Sequence, residues 1–159
     1  MLHRTFTILA AAGRLGGAAF AQAPAQPPVG AVAVLPFANN SGTDRELLDP
    51  LRTGIQDLLM TGLSTVSGIT VVERSQLAAV VNEIGLGQSA MVTPESAAQV
   101  GRLLGASEVV LGAFMAMGQK VRLDARIVRV ETGEVVLGAK VDGTTETLFE
   151  LVDKLAATV

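Results

Sequence analysis

Between Lys120 and Ile127 the chain alternates strictly, with Val121, Leu123, Ala125 and Ile127 on one side and Lys120, Arg122, Asp124 and Arg126 on the other. A period of two is the signature of a strand with one buried face and one open face. Beyond Ile127 the apolar positions pass to Val128 and Val130, and this change of phase predicts a β-bulge near Ile127. Glu131 to Glu134 reads as a tight hairpin turn in which Gly133 supplies positive φ. Strands are therefore expected over 107–117, 120–131 and 134–142.

Helical spacing governs most of the remainder. Leu48, Leu51, Ile55, Leu58, Leu59 and Leu63 recur at intervals of three and four, predicting one amphipathic helix over 45–66 with Asp49 and Pro50 as cap and first-turn proline. Ser75 is the expected N-cap of a second helix. Thr93, Pro94 and Glu95 open a third, whose buried stripe is expected to be Ala97, Val100, Leu103 and Leu104. A closing helix should turn Leu148, Leu151, Val152 and Leu155 inward. Two further strands are expected, over 29–37, where Pro36 takes the chain out of the ladder, and over 68–74. Residues Ala38 to Asp44 read as a loop.

The resulting order, β-α-β-α-α-β-β-β-α, predicts an α+β domain built on one mixed sheet. Its first β-α-β unit implies a parallel pair, and the later hairpins imply an antiparallel edge with helices packed on the whole. Composition fits that picture: of 159 residues 49% are hydrophobic but only 3% aromatic, so a single core must be filled by Val, Leu, Ile and Ala.

Residues 1–21 have a basic start, an apolar middle and an Ala-x-Ala end, and are read as a secretory signal cleaved after Ala21. Residues 22–28 are then a Pro-rich linker, and 29–159 the domain. Cleavage would remove His3, leaving no histidine, and would leave 10 Lys and Arg against 15 acids. That balance excludes a general nucleic-acid binder. With no cysteine there is neither a disulfide nor a lipid-attachment thiol.

These absences weigh against catalysis. A hydroxyl nucleophile would lack a histidine base, leaving only Lys120, Lys140, Lys154 or carboxylates. Glu131 and Glu134 flank an exposed turn, which does not raise a carboxylate pKa as an acid catalyst needs. No metal site is expected without His or Cys ligands or calcium-loop spacing, and no cofactor. Gly85 to Ala90 matches Gly-x-Gly-x-x-Ala formally but follows a helix rather than a strand. Gly105 likewise comes after a helix, the reverse of a phosphate loop. It is expected as a left-handed C-cap, and Gly112 as a point where a helix presses on the strand. What remains is binding. The charged face of Lys120, Arg122, Asp124 and Arg126 and the loop Ala38 to Asp44 are candidate partner surfaces, and Asn39, Asn40 and Arg74 a candidate cleft for a small ligand.

The stretches VAVLPFANNSG, VVERSQL, AAQVGRLLGASEVVLGAF and VRLDARIVRVETGEVV resemble the CsgG family of curli assembly and transport components, within a wider superfamily that includes the amino-terminal domain of TolB. The first strand ends in the family's Leu-Pro-Phe type corner (Leu35, Pro36, Phe37), the second in its Val-x-Arg type corner (Val72, Glu73, Arg74), and Gly105-Ala106 opens the third. The resemblance implies a CsgG-like fold. It also implies a non-enzymatic periplasmic component, associated with the outer membrane, for assembly or secretion of a surface structure. Its partners would be cell-envelope proteins and further copies of itself, with no nucleic acid and peripheral rather than integral membrane association. The alternative is a small-ligand sensor, or a module that activates a cell-envelope enzyme. Family members carry a lipid-attachment cysteine and long membrane hairpins. Here the cysteine is missing, and Lys120 to Asp142 is expected to stay in the core sheet.

Overall fold

The computed structural model describes residues 30–85 and 92–159. The expected signal, the linker and Leu86 to Ala90 of the glycine stretch lie outside them. In chain order the elements are β1 (Ala31–Val34), β2 (Ala38–Asn39), α1 (Arg45–Leu48), α2 (Leu51–Ser64), β3 (Thr70–Val71), α3 (Arg74–Glu83), α4 (Pro94–Leu104), β4 (Glu108–Met117), β5 (Lys120–Arg129), β6 (Val135–Thr144), a 3-10 turn (Thr145–Thr147) and α5 (Leu148–Ala156). The strands form one mixed sheet in the order β3-β1-β4-β5-β6, with β2 continuing beside β4. β1 is parallel to both β3 and β4, while β4, β5 and β6 form an antiparallel meander.

The expected first strand is broken in two at Pro36. Proline has no N–H for the ladder, and the chain steps out after Leu35, whose N–H still bonds the Val110 carbonyl. It then rejoins β4 at Ala38, so the anticipated loop begins two residues later. A buried corner of this kind exposes backbone groups that must find partners, and α2 supplies them. Gln56 Nε2 donates to the Val34 carbonyl at 2.7 Å, Arg52 Nε donates to the Phe37 carbonyl at 3.1 Å, and the Phe37 N–H returns a bond to the Arg52 carbonyl. Gln56 is 1% exposed, and its Oε1 meets no donor among the described residues. Arg52 and Gln56 lie four apart, on one helix face.

Helices cover the two sheet faces unequally. On one side α2 and α5 lie across the sheet, burying Ile55, Leu59, Leu63, Leu151, Val152 and Leu155 against Val34, Phe37, Val110, Phe114, Leu123 and Ile127. On the other side α3 and α4 cover only the parallel strands and the adjoining ends of β4 and β5, burying Leu77, Ala97, Ala98 and Val100 against Ala33, Leu35, Val109, Leu111, Val128 and Val130. This explains the phase change in β5. β5 pairs with β4 without interruption from Lys120 to Arg129, so Val128 and Val130 continue the face of Arg126 and are apolar because α4 covers that end. A register shift does occur between Ile127 and Val128, but the extra residue belongs to β6, where Leu137 faces Ile127 and Val135 faces Val128.

Several local expectations are corrected. The long helix is two, because Asp49 and Pro50 separate α1 from α2. Pro50 itself takes the N-cap position, and Asp49 pairs with Arg52 at 3.7 Å instead of capping. Glu73, not Ser75, precedes α3, and no side chain caps it. Thr93 does cap α4, in a reciprocal pair with Ser96. Leu103 is 57% exposed; small Ala98 and Gly101 take its place beneath α4. A close helix approach is at Gly101, where any Cβ would collide with Val109 and Val130, whereas at Gly112 the atoms that a Cβ would meet first belong to the ring of Phe37. Gly105 closes α4 at φ 65 and Gly133 turns the β5–β6 hairpin at φ 74.

Two substitutions test this account. Gln56→Ala leaves the buried Val34 carbonyl without its donor and is expected to cost about 1–3 kcal/mol. Gly112→Ala forces a methyl into the Phe37 ring, at about 1–3 kcal/mol. Both are read as lowered midpoints in urea with an unchanged slope.

Candidate functional interface

Because α4 covers only the adjoining ends of β4 and β5, no helix of the described residues lies over the rest of that face of the antiparallel meander. Register fixes the rows across it: Met115, Arg122 and Asp142; Ala113, Asp124 and Lys140; Leu111, Arg126 and Gly138; Met117, Lys120 and Thr144. The even residues of β5 project here while the odd ones are buried beneath α2 and α5. Met117 is 68% exposed and Met115 43%. Two open grooves cross the face. One is bounded by Met115, Met117, Lys120, Arg122, Asp142 and Thr144, the other by Asn40, Ala113, Asp124, Arg126, Gly138 and Lys140.

The face carries Lys120, Arg122, Arg126 and Lys140 against Asp124 and Asp142, so it is cationic in a chain with an acidic excess. Arg122 forms a two-pronged bond with Asp142, Nε to Oδ1 at 2.6 Å and Nη2 to Oδ2 at 3.2 Å. That hydrogen bond, and secondarily its charge, lowers the Asp142 pKa and raises that of Arg122. The pair is exposed, so it orients the two side chains more than it stabilises the fold.

The structure places all four residues of the sequence-derived surface, Lys120, Arg122, Asp124 and Arg126, together on this face. Lys140, Asp142 and the two methionines complete it. The same period-two rule applied from Gly138 through the hairpin register would have found the acid and the lysine. The proposed cleft does not assemble. Asn39 is buried, donating from Nδ2 to the Arg45 carbonyl and accepting from the Ser41 N–H, while Arg74 pairs with Asp57 at 2.7 Å. Asn40 alone reaches a groove, the one on the bare face. Glu131 and Glu134 flank the β5–β6 turn. Among the described residues no three or more His, Cys, Asp or Glu converge to hold a metal ion, and no helix is long and apolar enough to cross a membrane.

The family model described as "Curli production assembly/transport component CsgG" matches residues 18–122. Solved structures of the same fold include the lipoprotein GNA1162 from Neisseria meningitidis, 18% identical with TM-score 0.60 over 80% of this chain and 94% of that one. The LpoB C-terminal domain from Salmonella enterica is 21% identical with TM-score 0.54 over 78% and 89%. A PelC dodecamer from Paraburkholderia phytofirmans is 15% identical with TM-score 0.55 over 86% and 92%. A protein named "Putative adenylate cyclase 3" from Rhizobium meliloti (strain 1021) is 29% identical over 138 residues. That match covers 87% of this chain but only 21% of the relative's length.

The pH dependence of the ion pair has a definite sign. Asp142 is held below the ordinary carboxylate value of about 3.9, so its pairing contributes fully above that value and is lost as pH falls through the depressed one. The stability difference between wild type and Asp142→Asn is therefore expected to be constant from neutral pH down to about pH 5 and to vanish in acid. Thermal melts across that range, with NMR titration of the Asp142 carboxyl, measure it.

Proposed function

The chain belongs to the CsgG family, and from that premise we propose that it is a non-enzymatic component in the assembly or secretion of a bacterial surface structure. It acts in the periplasm through protein–protein contacts and associates with the outer membrane peripherally, through its partners. The observation that carries this reading is the bare face of the meander. Exposed methionines flanked by an ordered Arg122–Asp142 pair and further cations offer apolar contact with a polar surround, the composition of a protein-binding patch. Methionine adapts its shape to a partner, and the cationic excess favours an acidic one.

A second reading is an activator module of a larger envelope enzyme. Its support is the relative of which this chain matches only 21%, where a domain of this kind is one part of a longer polypeptide. The same face would then contact the enzyme.

A photo-reactive residue at Met117, exposed on the bare face, is expected to crosslink to envelope proteins in the producing cell, and one at Glu83 on α3 is not. Charge reversal at Arg122 and Arg126 together should abolish the crosslinks while leaving circular dichroism unchanged. Crosslinks that persist after reversal would remove this face from the proposal. An added partner enzyme whose turnover rises with the purified domain would favour the activator reading.

A further inference from the structure

We propose that two copies of this chain join edge to edge through antiparallel pairing of their β6 strands, centred on Val141, to form one continuous sheet. The inference does not depend on the envelope role above. β6 is the outer strand of the meander, and among the described residues nothing pairs with its free edge. An unpaired edge ten residues long is a template for another strand unless something guards it. Here the guard is local: the register shift lies at the start of β6, next to Val135, and Gly138 to Thr144 runs regularly to its end.

The hydrogen-bond phase fixes which residues such a pairing would use. The Thr145 N–H bonds the Gln119 carbonyl, continuing the rung order that pairs Lys120 with Thr144 and Ile127 with Leu137. Bonded and non-bonded rungs alternate in an antiparallel ladder, so Val141 and Gly143 bond inward to β5. The N–H and C=O groups of Gly138, Lys140, Asp142 and Thr144 therefore point out along the free edge.

Charge then selects the register. A centre at Lys140 would set lysine against lysine, and a centre at Asp142 would set aspartate against aspartate. Centred on Val141, each Lys140 faces the second copy's Asp142, and the outward backbone groups of both strands meet in phase. Since Arg122 already bonds Asp142 and Asp124 lies across from Lys140, the bare face would carry an unbroken row of alternating sign. It runs from Arg122 and Asp142 to Lys140 and Asp124 of the second copy. A single charge sign on an edge repels its own copy; lysine and aspartate two residues apart are self-complementary.

The full chain, purified at increasing concentration up to near-millimolar, is expected to sediment as a monomer–dimer equilibrium. Lys140→Pro removes an outward N–H that β5 does not use and should abolish the dimer without changing circular dichroism. Lys140→Glu and Asp142→Lys should each weaken it by about tenfold or more, and an equimolar mixture of the two should recover a heterodimer. The chain has no cysteine, so Val141→Cys gives a single thiol whose two copies face each other about 4.5 Å apart between Cα atoms, within disulfide reach. Oxidation should yield a covalent dimer. A wild-type chain that stays monomeric throughout, including one whose edge takes a strand from another protein, overturns the proposal. So does an oligomer that Lys140→Pro leaves intact, or a charge-swapped mixture that stays monomeric.

Discussion

The corner at Pro36 is the constraint on which the rest of the structure depends. A strand that leaves the sheet in the middle of the core strands backbone groups where water cannot reach them, and a buried unpaired carbonyl costs about 1–3 kcal/mol. The corner exists only because α2 offers Arg52 and Gln56 on one face. Meeting that requirement fixes the axial position of α2 on the sheet, which sets where Ile55 and Leu59 enter the core. It also seats the Phe37 ring over Gly112, in the middle of the longest strands. Packing, backbone satisfaction and strand continuity are thus settled at one place.

From there the two faces diverge. The four longer helices of the described residues, α2 to α5, are too few to cover both sides of this sheet. With α2 and α5 on one side, α3 and α4 reach only the parallel half of the other. α4 is held tightly to its end of the sheet by Gly101 and cannot also shield the tips of β4, β5 and β6. The uncovered tips are where the sequence puts charge and methionine, so the limit of helical coverage and the onset of polarity coincide between Arg126 and Val128.

Much of this was legible in the residues. The alternation of β5, the Thr93–Pro94 start of α4, Gly105 as its terminator and the inward face of α5 are each written within a few neighbours. Their physics is local, and mixed-sheet topology follows from their order. What was not legible is long-range. Gln56 interrupts an apolar stripe and looks like a surface residue until its partner, 22 positions earlier, is known. Leu103 matched a helical stripe that Ala98 and Gly101 occupy, because the sheet came too close for a leucine. The displaced residue near Ile127 was anticipated from a phase change that in fact marks the edge of α4, while the extra residue sits in β6. Asn39, Asn40 and Arg74 lie at strand ends, where a mixed sheet can open a cleft, and the fold gives them separate partners. The place of Lys140 and Asp142 on the charged face is also long-range, because they come beside Asp124 and Arg122 only once the strands are in register.

The strict alternation along β5 divides responsibilities residue by residue. Val121, Leu123, Ala125 and Ile127 answer to the interior, and Arg122, Asp124 and Arg126 answer only to what lies outside. The two sets share a backbone but no packing neighbours, and exposed substitutions seldom disturb stability. A lineage can therefore rewrite the outward set, exchanging one binding preference for another, while the inward set goes on specifying the same fold. Sequence divergence on this strand should accordingly accumulate at every second position.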